Sequence, residues 1–371
     1  MKAAIITYHR ALNYGSVLQT YALNHYLREL GVESYTIDYS SEGQQNTYTF
    51  YEKGHRLMTL VRNLHTFVFR KSLEKKRTRF SDFISQKIPL IGTEIFNDKN
   101  LQRDIDFFIC GSDQIWNGNT VDFTPRYLLD FVSEDYKCNS YAPSIGTLQQ
   151  TDETKALFRQ HLLRFRNISV REKSGAEYLL NILCRKVETV LDPVFLLDAD
   201  EWKSLAGEVP AIEEKYILCY YIGDIKGMRS FANKLAKHFG CKIYVILINL
   251  RDRLNLHNNP LYETGPKEFV NLINNAYCVC TNSFHAMSFS IILKKNFWAF
   301  VNDKNIVSTQ THPQTRLLDL AESLGLSDRL LDSSSCGNVD IEKGIDYTSV
   351  SQKLEVMRER SKQYINNIVN S

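Results

Sequence analysis

Three short segments of the chain carry side chains able to move a proton or grip an anion. In the first, an apolar run from Ala276 to Thr281 leads into Asn282, Ser283, Phe284, His285 and Ala286, where a helical pattern begins. Asn282 or Ser283 can cap that helix, and His285 then falls in its first turn. The free N–H groups there suit a phosphate or a carboxylate, a purely structural histidine being the alternative. In the second, the apolar run ending at Cys110 is followed by Gly111, Ser112, Asp113, Gln114, Ile115, Trp116 and Asn117. Asp113 is either a cap for the next turn or a carboxylate held for general-base work. Ser112, Gln114, Trp116 and Asn117 beside it offer hydrogen bonds and a flat ring suited to a sugar.

The third segment, His9 to Ser16, follows the first apolar run. Gly15 lets backbone approach a ligand, and His9, Arg10 and Asn13 make a polar binding loop; the plainer alternative is a tight strand-to-helix turn. Ser16 and Gln19 read as a capping box. The segment lacks G-x-G-x-x-G, so it does not indicate a dinucleotide. Arg171, after the run ending at Val170, can meet an anion or pair with Glu172. Arg316 can reach the same anion or lie solvated on its helix. Asp192-Pro193 reads as a turn.

The elements that must position these groups alternate. Apolar runs at 3–7, 34–38, 107–110, 139–142, 168–170 and 187–191 are expected strands, with a long helical stretch from about Glu52 to Gln86. The rhythm pauses in the polar segment 208–214 and restarts with strands at 216–222, 242–248, 276–281 and 297–301 and helices at 228–238, 266–275, 284–294 and 314–324. A last helix is expected at about 347–368. That βαβα order gives an α/β class with two Rossmann-like, doubly wound domains, 1–207 and 208–345, followed by a C-terminal helix, 346–371. Ligands of such folds bind beyond the C-terminal edges of the strands, so the crevice between two such sheets is where the three segments are expected to meet.

The 371 residues, 43% hydrophobic and 23% charged, are ordinary for folded globular protein, and a net charge of +3 gives no nucleic-acid-binding signal. Eight scattered cysteines read as reduced thiols. Cys278 and Cys280 have no companion ligands at metal-site spacing, so core packing is expected and no metal. No run approaches the ~20 apolar residues of a membrane helix and the first residues make no signal peptide, giving a cytoplasmic expectation. Residues 70–79 are basic and follow Leu57, Leu60, Val61, Leu64 and Val68 at helical spacing, either a solvated face or, over 56–79, a peripheral contact with anionic lipid or a lipid-pyrophosphate acceptor.

Taken together, the chain resembles the polysaccharide pyruvyl transferase family. The resemblance is carried by H-R-A-L-N-Y-G-S-V-L-Q at 9–19, G-S-D-Q-I-W-N at 111–117, S-V-R-E at 169–172, L-D-P-V at 191–194, G-P-K-E-F at 265–269, T-N-S-F-H-A at 281–286 and the stretch 316–329. Ala286 departs from it, since glycine often follows the histidine in the family; the segment 141–146 departs slightly. The resemblance implies a GT-B-like arrangement and transfer of the enolpyruvyl group of phosphoenolpyruvate to a sugar of a surface or capsular glycan precursor, giving a pyruvate ketal and phosphate. No cofactor or metal is implied beyond phosphoenolpyruvate as co-substrate; the partner is a saccharide acceptor, free or lipid-linked, and the site of action the cytoplasm or the inner face of the membrane. On this reading His285 is the general acid or a donor to the phosphate and Asp113 the base. Ser283, Phe284, Arg171 and Arg316 hold the donor, and Asn13, Tyr14, Gly15, Gln114, Trp116 and Asn117 line the acceptor side. The rival readings are a GT-B glycosyltransferase using a nucleotide sugar and a non-catalytic glycan-binding relative.

Overall fold

A computed structural model describes residues 1–47, 57–207, 209–223, 225–247, 258–302 and 315–371. Apolar runs become strands where the sequence places them, and the central ones, β-strands Lys2–Ile6, Phe107–Cys110, Tyr216–Tyr220 and Cys278–Thr281, are buried almost throughout. The first sheet has the order β3-β2-β1-β4-β5, from β1 (Lys2–Ile6), β2 (Glu33–Ile37), β3 (Leu90–Ile91), β4 (Phe107–Cys110) and β5 (Cys138–Ser140). All its pairings are parallel, with Ala4 opposite Tyr35 on one side and Phe108 on the other. The expected strands near 168 and 187 form a separate parallel pair, β6 (Ser169–Val170) with β7 (Glu188–Thr189).

The second sheet has the order β10-β9-β8-β11-β12-β13 and is also parallel throughout. Its strands are β8 (Tyr216–Tyr220), β9 (Lys242–Ile246), β10 (Asn259–Leu261), β11 (Cys278–Thr281), β12 (Asn296–Phe300) and β13 (Leu330–Leu331). In each sheet the strand that comes first lies inside, so the order reverses beside it and a switch point opens at the C-terminal edge. Two parallel sheets covered by helices, one after the other, make the α/β, GT-B-like plan. Cys278, Cys280 and Cys219 are free and buried, packed in one apolar cluster, as the alternation on β11 requires.

One core runs between the sheets. Tyr14, Val17, Leu18 and Ala22 of the Tyr14–Glu29 helix and Phe80, Phe83 and Ile84 of the Arg70–Lys87 helix pack with Leu218, Tyr220, Val279, Phe284 and Met287 of the second sheet and its helices. The Tyr14 ring stacks on Phe269 at 4.6 Å and 5°. The last helix, Tyr347–Val369, joins both sheets: Val350 and Leu354 belong to that shared core, while Tyr364, Ile365 and Ile368 pack with Ala3 and Ile5 of β1. The helical stretch expected at 52–86 is two helices, Leu57–Val68 and Arg70–Lys87, interrupted at Phe69 (φ −100°, ψ 17°); residues 52–56 lie outside the described residues.

Candidate active site

The Phe284–Ile292 helix starts where the sequence places it. Ser283 caps it by accepting a hydrogen bond from the Ala286 N–H at 3.4 Å, and His285 sits in the first turn. The ring is 6% exposed, but its surroundings are polar. Nε2 stands 3.5 Å from Oδ2 of Asp192. On the other side it lies against the first turn of the Tyr14–Glu29 helix, where a Cβ on Gly15 would stand 1.9 Å from His285 Nδ1. Glycine is therefore required at position 15 to seat the imidazole between the two sheets.

Asp113 meets the same turn from the first sheet. Its Oδ2 accepts a short hydrogen bond from the Ser16 hydroxyl, and its Oδ1 accepts from the Gln114 N–H at 2.8 Å. With Gly15 against His285 and Ser16 on Asp113, adjacent residues of one helical turn bring together the two groups that sequence reasoning put in proton transfer. Asp113 has φ +71°, a left-handed backbone that costs a non-glycine residue about 1–3 kcal/mol, aspartate and asparagine least. The Ser144 N–H donates to its carbonyl at 2.7 Å and helps hold that geometry.

Asp192 ties the cluster together. It is the cap of a short turn, as expected, its Oδ1 accepting from the Val194 N–H at 3.1 Å. Its Oδ2 also accepts from Arg171 Nη1 at 2.5 Å and from the Ser112 hydroxyl at 3.0 Å. Burial alone would raise the Asp192 carboxyl, yet His285 and Arg171 outweigh it and hold the group well below the usual carboxylate range. Arg171 also lies 3.5 Å from the buried Glu172, and its guanidinium is raised above its ordinary value: burial acts to lower it, and Asp192, Glu172 and Asp113 together prevail. Arg316 is different. Burial, reinforced by the charge of Arg171, pushes it down to about 10, and its Nε finds no hydrogen-bond partner among the described residues. The two guanidinium carbons lie 4.5 Å (Arg171) and 6.0 Å (Arg316) from the Phe284 ring centre.

Arg171, Arg316, Phe284 and Asp192 line a cavity of about 360 Å³ together with Asp319, Met357 and Arg360. Four cations (Arg171, Lys173, Arg316 and Arg360) face it against two carboxylates (Asp192 and Asp319), and burial raises Asp319 from its ordinary value. A small dianion fits such a balance. His285 is not in that lining but reaches it through Asp192.

Several expected site residues have other work. Trp116 is fully buried, its ring among Phe158 and Phe165 and its N–H donating to the Tyr127 carbonyl at 2.9 Å, so it offers no face to a sugar. Tyr14 is a core residue joining the sheets, its hydroxyl donating to the Thr264 carbonyl at 3.1 Å. Asn13, not Ser16, caps the Tyr14–Glu29 helix, accepting from the Gly15 N–H at 3.0 Å; the Gln19 amide turns inward to Thr7 and Thr20. The Ser283 hydroxyl is engaged as a cap, and the Phe284 ring lies near both Arg171 and Arg316. Gln114 and Asn117 bond each other, Asn117 Nδ2 donating at 3.1 Å. His9 and Arg10 are both held by Asp38. Glu172 does stand beside Arg171, one of the two partners the sequence offered for it, whereas Asp192 was read only as a turn former and its place between Arg171 and His285 was not foreseen; the signal was an acid directly after a strand end.

The profile of polysaccharide pyruvyl transferases matches residues 13–304. The chain belongs to the polysaccharide pyruvyl transferase family. The matched span holds Gly15, Asp113, Arg171, Asp192 and His285, while Arg316 lies beyond it. No curated protein sequence matches the chain. Among solved structures it is similar to the UDP-GlcNAc 2-epimerase of Methanocaldococcus jannaschii, solved with UDP-GlcNAc and UDP (13% identity, 100% of this chain and 99% of that one, TM-score 0.45). It is also similar to the UDP-GlcNAc 2-epimerase of Neisseria meningitidis (11%, 97% and 100%, 0.43) and the ADP-heptose LPS heptosyltransferase II of E. coli (11%, 98% and 100%, 0.40).

The seat of the imidazole yields a first expectation. Gly15→Ala should lower turnover at least about tenfold, because the new methyl must displace either His285 or the helix, an overpacking that costs about 1–3 kcal/mol. Steady-state kinetics with a parallel thermal melt checks it. Wild-type turnover in a variant of wild-type stability would mean that the ring has no fixed seat there.

Proposed function

We propose that the protein moves the enolpyruvyl carbons of phosphoenolpyruvate onto two hydroxyls of one sugar in a glycan precursor, giving a cyclic pyruvate ketal and inorganic phosphate. The observation that carries this reading is that Arg171 and Arg316 both line one cavity beside the ring of Phe284, the residue next to His285 in the chain. A three-carbon phosphate ester with a carboxylate needs two cationic contacts and one proton donor, and no nucleoside-sized aromatic platform.

The reaction needs a proton on the methylene carbon, which makes C2 oxocarbenium-like and open to attack by the first sugar oxygen. His285 supplies that proton, and Asp113 takes the one released from the attacking hydroxyl. A second hydroxyl of the same sugar then attacks C2. The bond from C2 to the ester oxygen breaks, phosphate leaves with the electron pair, and the second hydroxyl's proton goes with it. Of the two protons lost by the sugar, one is balanced by the new methyl group and the other by the phosphate. Arg171 and Arg316 hold the carboxylate and phosphate and stabilise the charge that builds on the leaving oxygen. Asp192 acts through His285 and Arg171 by fixing both.

The test is phosphate release from phosphoenolpyruvate against a panel of free and lipid-linked saccharides, followed by product mass. The expected product is heavier than its acceptor by one pyruvate less one water. Consumption of a nucleotide sugar instead would identify a glycosyltransferase, and glycan binding with no release from any donor would identify a non-catalytic relative.

A further inference from the structure

Another cavity, of about 480 Å³, lies past the C-terminal ends of three neighbouring strands of the first sheet. Arg10 follows β1, Asp38, Tyr39, Ser40, Gln44 and Gln45 follow β2, and Thr93 follows β3. The reaction steps above use none of them.

The chemistry of this lining is set by hydrogen bonds within it. Arg10 donates to Asp38 through Nε at 2.7 Å and through Nη2 at 2.6 Å, and the buried His9 stands behind with Nε2 3.0 Å from Asp38 Oδ1. His9 and Arg10 thereby hold the Asp38 carboxyl well below its usual range. Asp38 Oδ2 accepts one hydrogen bond only, and Arg10 Nη1 donates none among the described residues. The two side chains are 39% and 34% exposed, so a fixed donor and a fixed acceptor stand side by side at the cavity. Ser40 sets two amides beside them: its hydroxyl donates to Gln44 Oε1 at 2.7 Å and its carbonyl accepts from Gln45 Nε2 at 3.0 Å.

That lining selects its ligand by charge. Arg10 and Asp38 are its charged groups and neutralise each other, so a phosphate or a uronate would meet no cation free of a carboxylate. An acyl chain would bury the ion pair and both amides unsatisfied. Adjacent hydroxyls of a neutral sugar suit it, one donating to Asp38 Oδ2 and the next accepting from Arg10 Nη1.

The cavity also lies at a definite distance from Asp113. β1 separates β2 from β4, so the ends of those two strands are two strand spacings, about 10 Å, apart. One sugar ring does not span that gap. The two places are held in register through β1, where the Thr7 hydroxyl donates to the Ser112 carbonyl at 2.8 Å and the Thr7 carbonyl lies 3.3 Å from His9 Nδ1.

We propose that the Arg10–Asp38 cavity is a sugar subsite: it holds a neutral sugar of the acceptor next to the one that receives the ketal at Asp113, and so selects acceptors at least two sugars long. The assignment of the ketal-bearing sugar to Asp113 rests on the reaction proposed above, whereas the subsite itself rests on the lining.

The full chain should be tested on an array of neutral gluco-, galacto- and manno-oligosaccharides of one to four units, with phosphate release from phosphoenolpyruvate measured separately on the same saccharides. Wild type should bind at least one saccharide of two or more units at least about tenfold more tightly than the corresponding monosaccharide, the worth of one or two hydrogen bonds to charged groups. Arg10→Ala should lose that preference. Gln45→Ala, at an exposed position, should weaken it, and both variants should melt close to wild type, since an exposed ion pair adds little stability. Absence of binding to every neutral saccharide, binding indifferent to length, or a preference unchanged in Arg10→Ala would overturn the subsite, even where phosphate release upholds the reaction. Length-dependent binding that Arg10→Ala abolishes would uphold the subsite even where no phosphate is released, and the reaction alone would then fall.

Discussion

Replacing His285 by alanine should lower turnover by about two to four powers of ten, the range of a single acid-base group. The ring has no role in the apolar core. It lies between Gly15 and Asp192, both contributed by the half of the chain that precedes the second sheet, so its removal leaves the packing of Phe284, Ala286 and Met287 in place. The melting temperature should therefore change far less than the rate. His285→Gln separates the two roles open to the residue: a glutamine can still donate a hydrogen bond to a phosphate but cannot deliver a proton to carbon. A rate for His285→Gln near wild type would assign His285 to holding the phosphate, and an unchanged rate in both variants would remove it from the chemistry. Asp113→Asn keeps a residue tolerant of the left-handed backbone while removing the charge, so its rate reports the base and not the fold.

The second large effect belongs to Asp192. Its carboxylate is buried against Arg171, and removing one partner of a buried ion pair costs about 3–5 kcal/mol, since the other charge is left behind. Asp192→Asn should lower the unfolding midpoint at neutral pH and reduce turnover, the first through Arg171 and the second through His285. The pH dependence has a definite sign. A carboxyl held below its ordinary value contributes stability that is fully present above about pH 4, the range of an unfolded aspartate, and is lost as the pH falls through the native value. Wild type should thus lose stability more steeply than the variant as the solution is acidified from about pH 4. Parallel acid branches in the two unfolding profiles would show that Asp192 is not the ionised partner of Arg171.

Much of the scaffold was legible because parallel strands buried on both faces are short apolar runs, and the helices between them keep one apolar stripe. What escaped was too short or too unmarked to show a period. β3 and β13 are two residues each. The interruption at Phe69 has no proline or glycine to announce it. In the site, the segments were right and some side chains were not. Trp116 stands among polar residues in sequence, and that company suggested a sugar platform, while Tyr14 was put on the acceptor side by the family resemblance. Polarity of neighbours does not decide where an aromatic ring points after a strand; the available volume does, and for both rings it lies in the core. Gly15 was understood as a place for close approach, and the approach is real, but what comes close is His285 from the other sheet. Asp192 looked like a turn former because its cap is local, whereas its partners Arg171 and His285 are distant along the chain and only the fold brings them to one carboxylate.

The most direct measurement of the central claim needs no acceptor: calorimetric titration of the full chain with phosphoenolpyruvate, and separately with UDP- and ADP-linked sugars. Phosphoenolpyruvate should bind the wild type and lose at least about tenfold in affinity to Arg316→Met, which removes a charge that no described residue pairs with through its Nε. Binding of a nucleotide sugar with none of phosphoenolpyruvate, or phosphoenolpyruvate affinity indifferent to Arg316, would contradict the assignment of this crevice to a three-carbon anionic donor.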